Sequence, residues 1–250
     1  MANESTTWRT PHWCARHLCH VHALQWLSSA LGSGRVVLQT ALWLFAAVAW
    51  ASDLDAGELT VAVKDAQGKP VAKAVVSAEL IEAPGAASAG GRGTLTIAQK
   101  NEQFEPFVSV VQTGTAVAFP NQDEILHNVY SFSKAKKFQL PLYREQAPAP
   151  VVFDQPGTVI LGCNIHDWMV AYVYVVDTPY FGKTSEDGTV NLSNLPAGRY
   201  RVQVQHPRKR KRGSTPAQTI SVSQQAVIDA EFSIALKPEW RPKKRATNTN

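Results

Sequence analysis

From Glu58 onward the chain alternates apolar and polar positions in short runs, the period of two that sets one face of a strand against a core. Leu59, Val61 and Val63 alternate, and the pattern returns at Ala74-Val-Val-Ser-Ala-Glu-Leu80. Asp65-Ala-Gln-Gly68-Lys-Pro70 supplies turn chemistry between these two predicted strands. Residues 83–93, made almost wholly of Ala, Gly, Ser and Pro, read as a linker or long loop. A dense series of strands is then predicted near 94–99, 107–111, 116–120, 127–133, 137–142, 150–153, 157–163 and 170–177. Their breaks carry Gly, Pro, Asn or Asp and no helical period persists, which is the pattern of an all-β sandwich or barrel. In a third section, Thr178 to Leu236, turns are predicted at Ser185-Glu-Asp-Gly188 and Asn194-Leu-Pro-Ala-Gly198. An alternating strand over Arg199–Gln205 and strands at 217–222 and 226–234 complete it. From Lys237 the Pro-, Lys- and Asn-rich tail, 237–250, has no periodicity and is expected to be disordered.

Ahead of these strands, Arg35 precedes an apolar run from Val36 to Trp50, then Ala49-Trp50-Ala51 and a polar Ser-Asp-Leu-Asp. That order is a signal peptide with cleavage expected after Ala51, so residues 1–51 form an extension that is removed. The apolar run falls short of the ~20 residues that span a bilayer, so no stable membrane span is expected after cleavage. Export of this type places the protein in the periplasm. His12, Cys14, His17, Cys19, His20 and His22 resemble a metal cluster but lie upstream of the export signal and would be lost with it.

The 250 residues are 44% hydrophobic and 18% charged, which excludes wholesale disorder. The formal net charge of +5 is unevenly placed. Arg208-Lys-Arg-Lys-Arg212 and the tail lysines and arginines from Lys237 to Arg245 hold the excess, and the remainder is net negative. No aromatic RNA-binding motif or helix-turn-helix pattern accompanies them, so no nucleic-acid partner is expected. The Arg208–Arg212 run lies between predicted strands and is expected to be a solvated hairpin tip.

Beyond residue 51 the chain holds one cysteine and one methionine, both within Cys163-Asn-Ile-His166-Asp-Trp-Met169, and two other histidines, His127 and His206. A lone thiol in an oxidising compartment is at risk unless a metal holds it. A thiolate, two imidazoles and a thioether are the ligand set of a mononuclear type 1 copper site. Soft thiolate and thioether disfavour magnesium, calcium and manganese, and structural zinc commonly takes more than one thiolate. The residue types alone leave open which distant histidine completes the set. No nucleophile–base pair or paired carboxylates are evident, so an enzyme is not expected.

Two resemblances sharpen this picture. Val63-Lys-Asp-Ala-Gln-Gly-Lys-Pro-Val-Ala-Lys-Ala-Val-Val and Thr184-Ser-Glu-Asp-Gly-Thr-Val-Asn-Leu-Ser-Asn-Leu-Pro-Ala-Gly-Arg-Tyr-Arg-Val resemble two parts of one carboxypeptidase-regulatory-like, or prealbumin-like, β-sandwich. They imply a sandwich split into 52–82 and 178–236 around an insert at 83–177. Within the insert, Phe107-Val-Ser-Val-Val-Gln-Thr-Gly-Thr-Ala-Val-Ala-Phe-Pro-Asn, His127-Asn-Val and Gly157-Thr-Val-Ile-Leu-Gly-Cys163 resemble the cupredoxins. The C-x2-H-x2-M spacing is similar to the short ligand loop of the amicyanin and methylamine-utilisation type. The resemblance implies a Greek-key sandwich holding one type 1 copper on His127, Cys163, His166 and Met169. It also implies that Asn128 holds the ligand loop by a hydrogen bond to backbone beside Cys163. Asp167 stands where amicyanin-like loops carry proline, and Trp168 is placed to shield the metal. His206 is left out of the set. The expected function is a single-electron shuttle between periplasmic redox proteins of the dehydrogenase or c-type cytochrome class. The alternatives are a copper-delivery protein, or a non-catalytic binding module, for carbohydrate among others, with a vestigial copper site.

Overall fold

The period of two produces strands throughout, and there is no helix among the residues described, 56–84, 93–210 and 215–238, in the computed structural model. The expected signal peptide, its cleavage point and the upstream His/Cys residues lie outside those residues, as do the tail beyond residue 238 and residues 211–214, which include the last two of the basic run. Two strands come first, β1 (Gly57–Asp65) and β2 (Val75–Leu80). Five short ones follow: β3 (Thr94–Thr96), β4 (Ala98–Lys100), β5 (Gln103–Glu105), β6 (Val108–Gln112) and β7 (Thr115–Ala118). The centre continues with β8 (Tyr130–Ser133), β9 (Lys136–Gln139), β10 (Val151–Phe153), β11 (Gly157–Gly162) and β12 (Val170–Val176). The last five are β13 (Phe181–Lys183), β14 (Thr189–Leu195), β15 (Gly198–Gln205), β16 (Ala217–Val222) and β17 (Val227–Ile234).

Pairing separates the strands into two sandwiches. The central one stacks a five-stranded sheet, β6-β12-β11-β8-β9, on a three-stranded one, β10-β7-β3. Its core contains Ile97, Phe104, Val117, Phe119, Phe153, Leu161 and Val173, with Cys163 and Met169 among them. The other joins β14-β1-β17 to β13-β2-β15-β16 around Leu59, Val61, Leu195, Tyr200, Phe232 and Ile234. β1 and β2 therefore pair with strands that follow residue 180 and with none of the central ones. Gly188 makes the tight approach that closes this sandwich. At φ 79° its missing Cβ would lie 2.7 Å from the Val63 carbonyl oxygen, so only glycine fits.

The two sandwiches share a contact. Val75 of β2, Val108 of β6 and Tyr174 of β12 are buried together, with Phe107, Val110 and Tyr172 packed against them. The Lys183 ammonium donates to the Val108 carbonyl at 2.9 Å, and partial burial holds that ammonium below the usual lysine range. Beside this contact lies a cleft of ≈ 340 Å³ lined by polar groups that include Ser77, Glu79, Asp177, Arg201 and Gln203.

Several elements differ from the sequence expectation. The strand expected over 94–99 is two strands, because the chain changes partner at Ile97: β3 pairs with β7, and β4 pairs with β5. The polar strand β5 carries no apolar alternation beyond Phe104 and was not predicted. The strand expected from residue 127 begins at Tyr130, and His127 instead makes an isolated bridge with Tyr143. Arg208–Arg210 is more than a solvated tip. Lys209 bridges Leu236, the Arg210 N–H donates to Ala235, and the Lys237 N–H donates to Arg208.

Candidate metal centre

β11 and β12 are antiparallel, and the pair Gly162↔Val170 closes the hairpin around Cys163–Met169. The loop is short, so its side chains have little freedom in where they point. The Met169 N–H donates to the His166 carbonyl at 2.9 Å, tightening the loop further. Gly162 lies against the ring of Tyr130, whose Cζ sits 2.7 Å from where a Cβ would be. The opposite wall comes from residues 121–127, which approach through the paired backbone of His127 and Tyr143, at 3.1 and 2.9 Å.

Three donor atoms converge between these walls. His127 Nδ1 and His166 Nδ1 are 3.1 Å apart, and Cys163 Sγ lies 4.0 Å from the first and 3.9 Å from the second. The circle through those three atoms has a radius of about 2.1 Å, within the range of a first-row metal bond to nitrogen or sulfur, about 2.0–2.3 Å for zinc. The cluster is thus sized for one metal ion. His127 is fully buried and Cys163 is 3% exposed, so water has little access from that side.

Asp123 decides how His127 presents itself. Its Oδ2 lies 2.8 Å from His127 Nε2, and an ionised carboxylate can only accept there. The imidazole proton therefore sits on Nε2 and the lone pair on Nδ1 faces the other donors, an orientation that carboxylate partners impose on metal-bound histidines. The same carboxylate accepts the backbone N–H of Asn101 at 2.6 Å and of Glu102 at 2.8 Å. Burial opposes its ionisation, but these two N–H groups and the imidazole outweigh burial and hold Asp123 below the usual carboxylate range. The Glu102 carboxylate lies 3.9 Å from His166 Nε2. Sequence reasoning missed both acids. The Asp-x3-His spacing was visible, but acidic residues in a loop carry no such meaning without the fold.

The remaining site residues fall as follows. Met169 is 1% exposed and lies in the same core cluster as Cys163. Asn128, buried next to His127, accepts the Asn164 N–H on Oδ1 at 2.9 Å and so ties the two walls at the residue after Cys163. The Trp168 ring centroid is 5.0 Å from that of His166, and the Trp168 Nε1–H is buried with no hydrogen-bond partner among the described residues. Asp167 is exposed. His206 lies in the other sandwich, where its Nδ1 accepts the Arg208 N–H at 3.1 Å. Beneath the site, buried Gln99 donates to the Tyr143 hydroxyl at 2.6 Å, and that hydroxyl donates to the Phe119 carbonyl at 2.5 Å. Burial pushes the Tyr143 hydroxyl up to about 12, against the Gln99 hydrogen bond.

No protein-family model and no curated protein matches the chain. Among solved structures it is similar to the copper-containing nitrite reductase of Thermus scotoductus SA-01, at 22% identity and a TM-score of 0.32 over 33% of this chain. It spans only 22% of that enzyme's length. It is also similar to a purple cupredoxin from Nitrosopumilus maritimus, at 23% identity and a TM-score of 0.30, covering 33% of this chain and 99% of that one. An oxidised amicyanin variant matches at 22% identity and a TM-score of 0.31, over 42% of this chain and 99% of that one. These likenesses are partial, and the chemistry of the site rests on its own donor atoms.

Proposed function

We propose that this chain is a type 1 copper protein that carries single electrons between partner proteins in the periplasm. The observation that carries this reading is the triangle of His127 Nδ1, His166 Nδ1 and Cys163 Sγ, with separations that fit one metal ion. Met169 supports copper over zinc, since its thioether is buried in the same core cluster as Cys163. Bound copper would supply a one-electron couple. The protein's own residues supply constraint: the hairpin loop fixes three of the four side chains, Asp123 fixes His127, and Asn128 fastens one wall to the other. A scaffold that holds its donors in place before and after electron transfer keeps the reorganisation small.

Export is supported by the apolar run ending at Ala49-Trp50-Ala51. A route for electrons is supported by His166, whose side chain is 12% exposed while His127 is sealed. Leu126, Leu142 and Ile165 flank the site residues in the chain and are each about half exposed, apolar surface suited to transient protein contact. The assay is to load the purified protein with Cu(II), record its visible spectrum, and titrate it with a one-electron reductant. An intense thiolate-to-copper band that bleaches and returns reversibly is expected. Copper bound without such a band, or lost to a weak chelator on reduction, would replace electron carriage with copper delivery.

A further inference from the structure

The turn between β4 and β5 consists of Asn101 and Glu102, both at positive φ, 52° and 57°. Glycine is the residue this turn geometry favours at its second position, and a glutamate stands there instead. The turn is fastened from outside its own hairpin, since the two N–H groups of Asn101 and Glu102 donate to the carboxylate of Asp123. Asp123 in turn holds His127 Nε2. One carboxylate thus locks the first imidazole and, through the turn, places a second carboxylate beside the other imidazole. The contact between Glu102 Oε2 and His166 Nε2 is 3.9 Å, longer than a hydrogen bond, and both side chains are largely shielded, at 16% and 12% exposure.

We infer that Glu102 is a positioning residue for His166. Its charge keeps the imidazole proton on Nε2, which leaves the Nδ1 lone pair facing Cys163 and His127. The same charge stands behind the metal position and favours the more highly charged oxidised state. With both imidazoles protonated on Nε2, two lone pairs meet 3.1 Å apart, a repulsion that a bound cation relieves. Glu102 therefore primes the site for a metal and lowers its reduction potential.

This inference rests on the copper reading, and two measurements on the full chain separate their fates. The first needs no copper: nitrogen–proton correlation spectra of the metal-free protein at neutral pH report the His166 tautomer. The unmodified protein should show the Nε2–H form. Glu102→Gln retains an acceptor without charge, whereas Glu102→Gly removes both and gives the turn its preferred residue, so that variant folds. Glu102→Gly should lose the Nε2–H preference. The second measurement is the ratio of oxidised to reduced copper against a fixed redox mediator. Both variants should shift it toward the reduced state by three- to tenfold, about 30–60 mV for a one-electron couple. An unmodified protein with the proton on Nδ1, or a Gly variant with unchanged tautomer and unchanged ratio, overturns the role of Glu102. If the unmodified protein shows no thiolate–copper band, the type 1 reading fails instead, and the tautomer measurement still decides the role of Glu102.

Discussion

Replacing Asp123 by Asn removes a charge from the centre of the site while changing almost nothing in shape. The carboxylate accepts three hydrogen bonds, from Asn101 N–H, Glu102 N–H and His127 Nε2. An asparagine offers one oxygen, so at least one of these donors must face an amide N–H. Hydrogen bonds to a charged acceptor contribute about 1.5–3 kcal/mol each, and asparagine keeps part of them, so the expected loss is about 2–4 kcal/mol. For a folded region of this size that is a fall in melting temperature of about 5–15 °C. The sign with pH follows from the carboxyl being held below its usual range. Its stabilisation is present above the unfolded carboxylate value near 3.9 and is lost as pH falls through the folded value. Urea denaturation of the metal-free protein should therefore show a large gap between Asp123→Asn and the unmodified chain at pH 7, closing toward pH 3. A gap of equal size at both pH values would mean that the charge contributes nothing and that shape alone matters. Equal stability at pH 7 would remove Asp123 from the clamp.

Cys163→Ser should abolish the thiolate–copper band, while Met169→Leu should keep a modified band and raise the potential; visible spectra with redox titration decide both. Tyr143→Phe should cost about 1–3 kcal/mol in chemical denaturation, because it leaves buried Gln99 without its hydroxyl partner. Pairing it with Gln99→Leu should cost less than the two single changes summed, and strict additivity would refute the coupling. Burial and the nearby Arg208 hold His206 down to about 4. The unfolded chain then binds a proton that the folded chain refuses between about pH 6.5 and 4, so stability falls by about 1–3 kcal/mol as the solution is acidified through that window. His206→Gln should flatten the slope there, and an unchanged pH profile would refute the assignment.

Much of the fold was legible because half-buried strands write their burial as alternation. Leu59, Val61 and Val63 are each fully buried, with the partly exposed Thr60 and Ala62 between them, as the period of two requires. β12 carries a second signal. Val-Ala-Tyr-Val-Tyr-Val-Val is apolar on both faces, and Tyr174 is buried against the other sandwich while Ala171, Val173 and Val175 face the central core. The short polar strands were illegible, since β4 and β5 are set by a partner and not by their own pattern. The Cys163–Met169 loop stood out because cysteine, histidine and methionine crowd into a few residues. Asp123 and Glu102 did not, because each acquires its role from groups distant in sequence: Asp123 reaches back across more than twenty residues to the turn, and Glu102 stands 3.9 Å from His166, far along the chain.

The placement of β12 bears on why two sandwiches share one chain. Cys163–Met169 is held between Gly162 and Val170, so the loop inherits its rigidity from β11 and β12. One face of β12 is fixed by the central core. The other, at Tyr172 and Tyr174, is fixed only where Val75, Phe107, Val108 and Val110 pack against it, and Val75 belongs to the other sandwich. Burying one such side chain stabilises by about 1.5–3 kcal/mol. Without β2, Tyr174 would lose Val75 from its cover, and this face of the strand that follows Met169 would rest on Phe107, Val108 and Val110 alone. The second sandwich thus acts on the Cys163–Met169 loop through packing. It holds the strand still, and a still strand is what a donor set needs if it is to exchange an electron without rearranging.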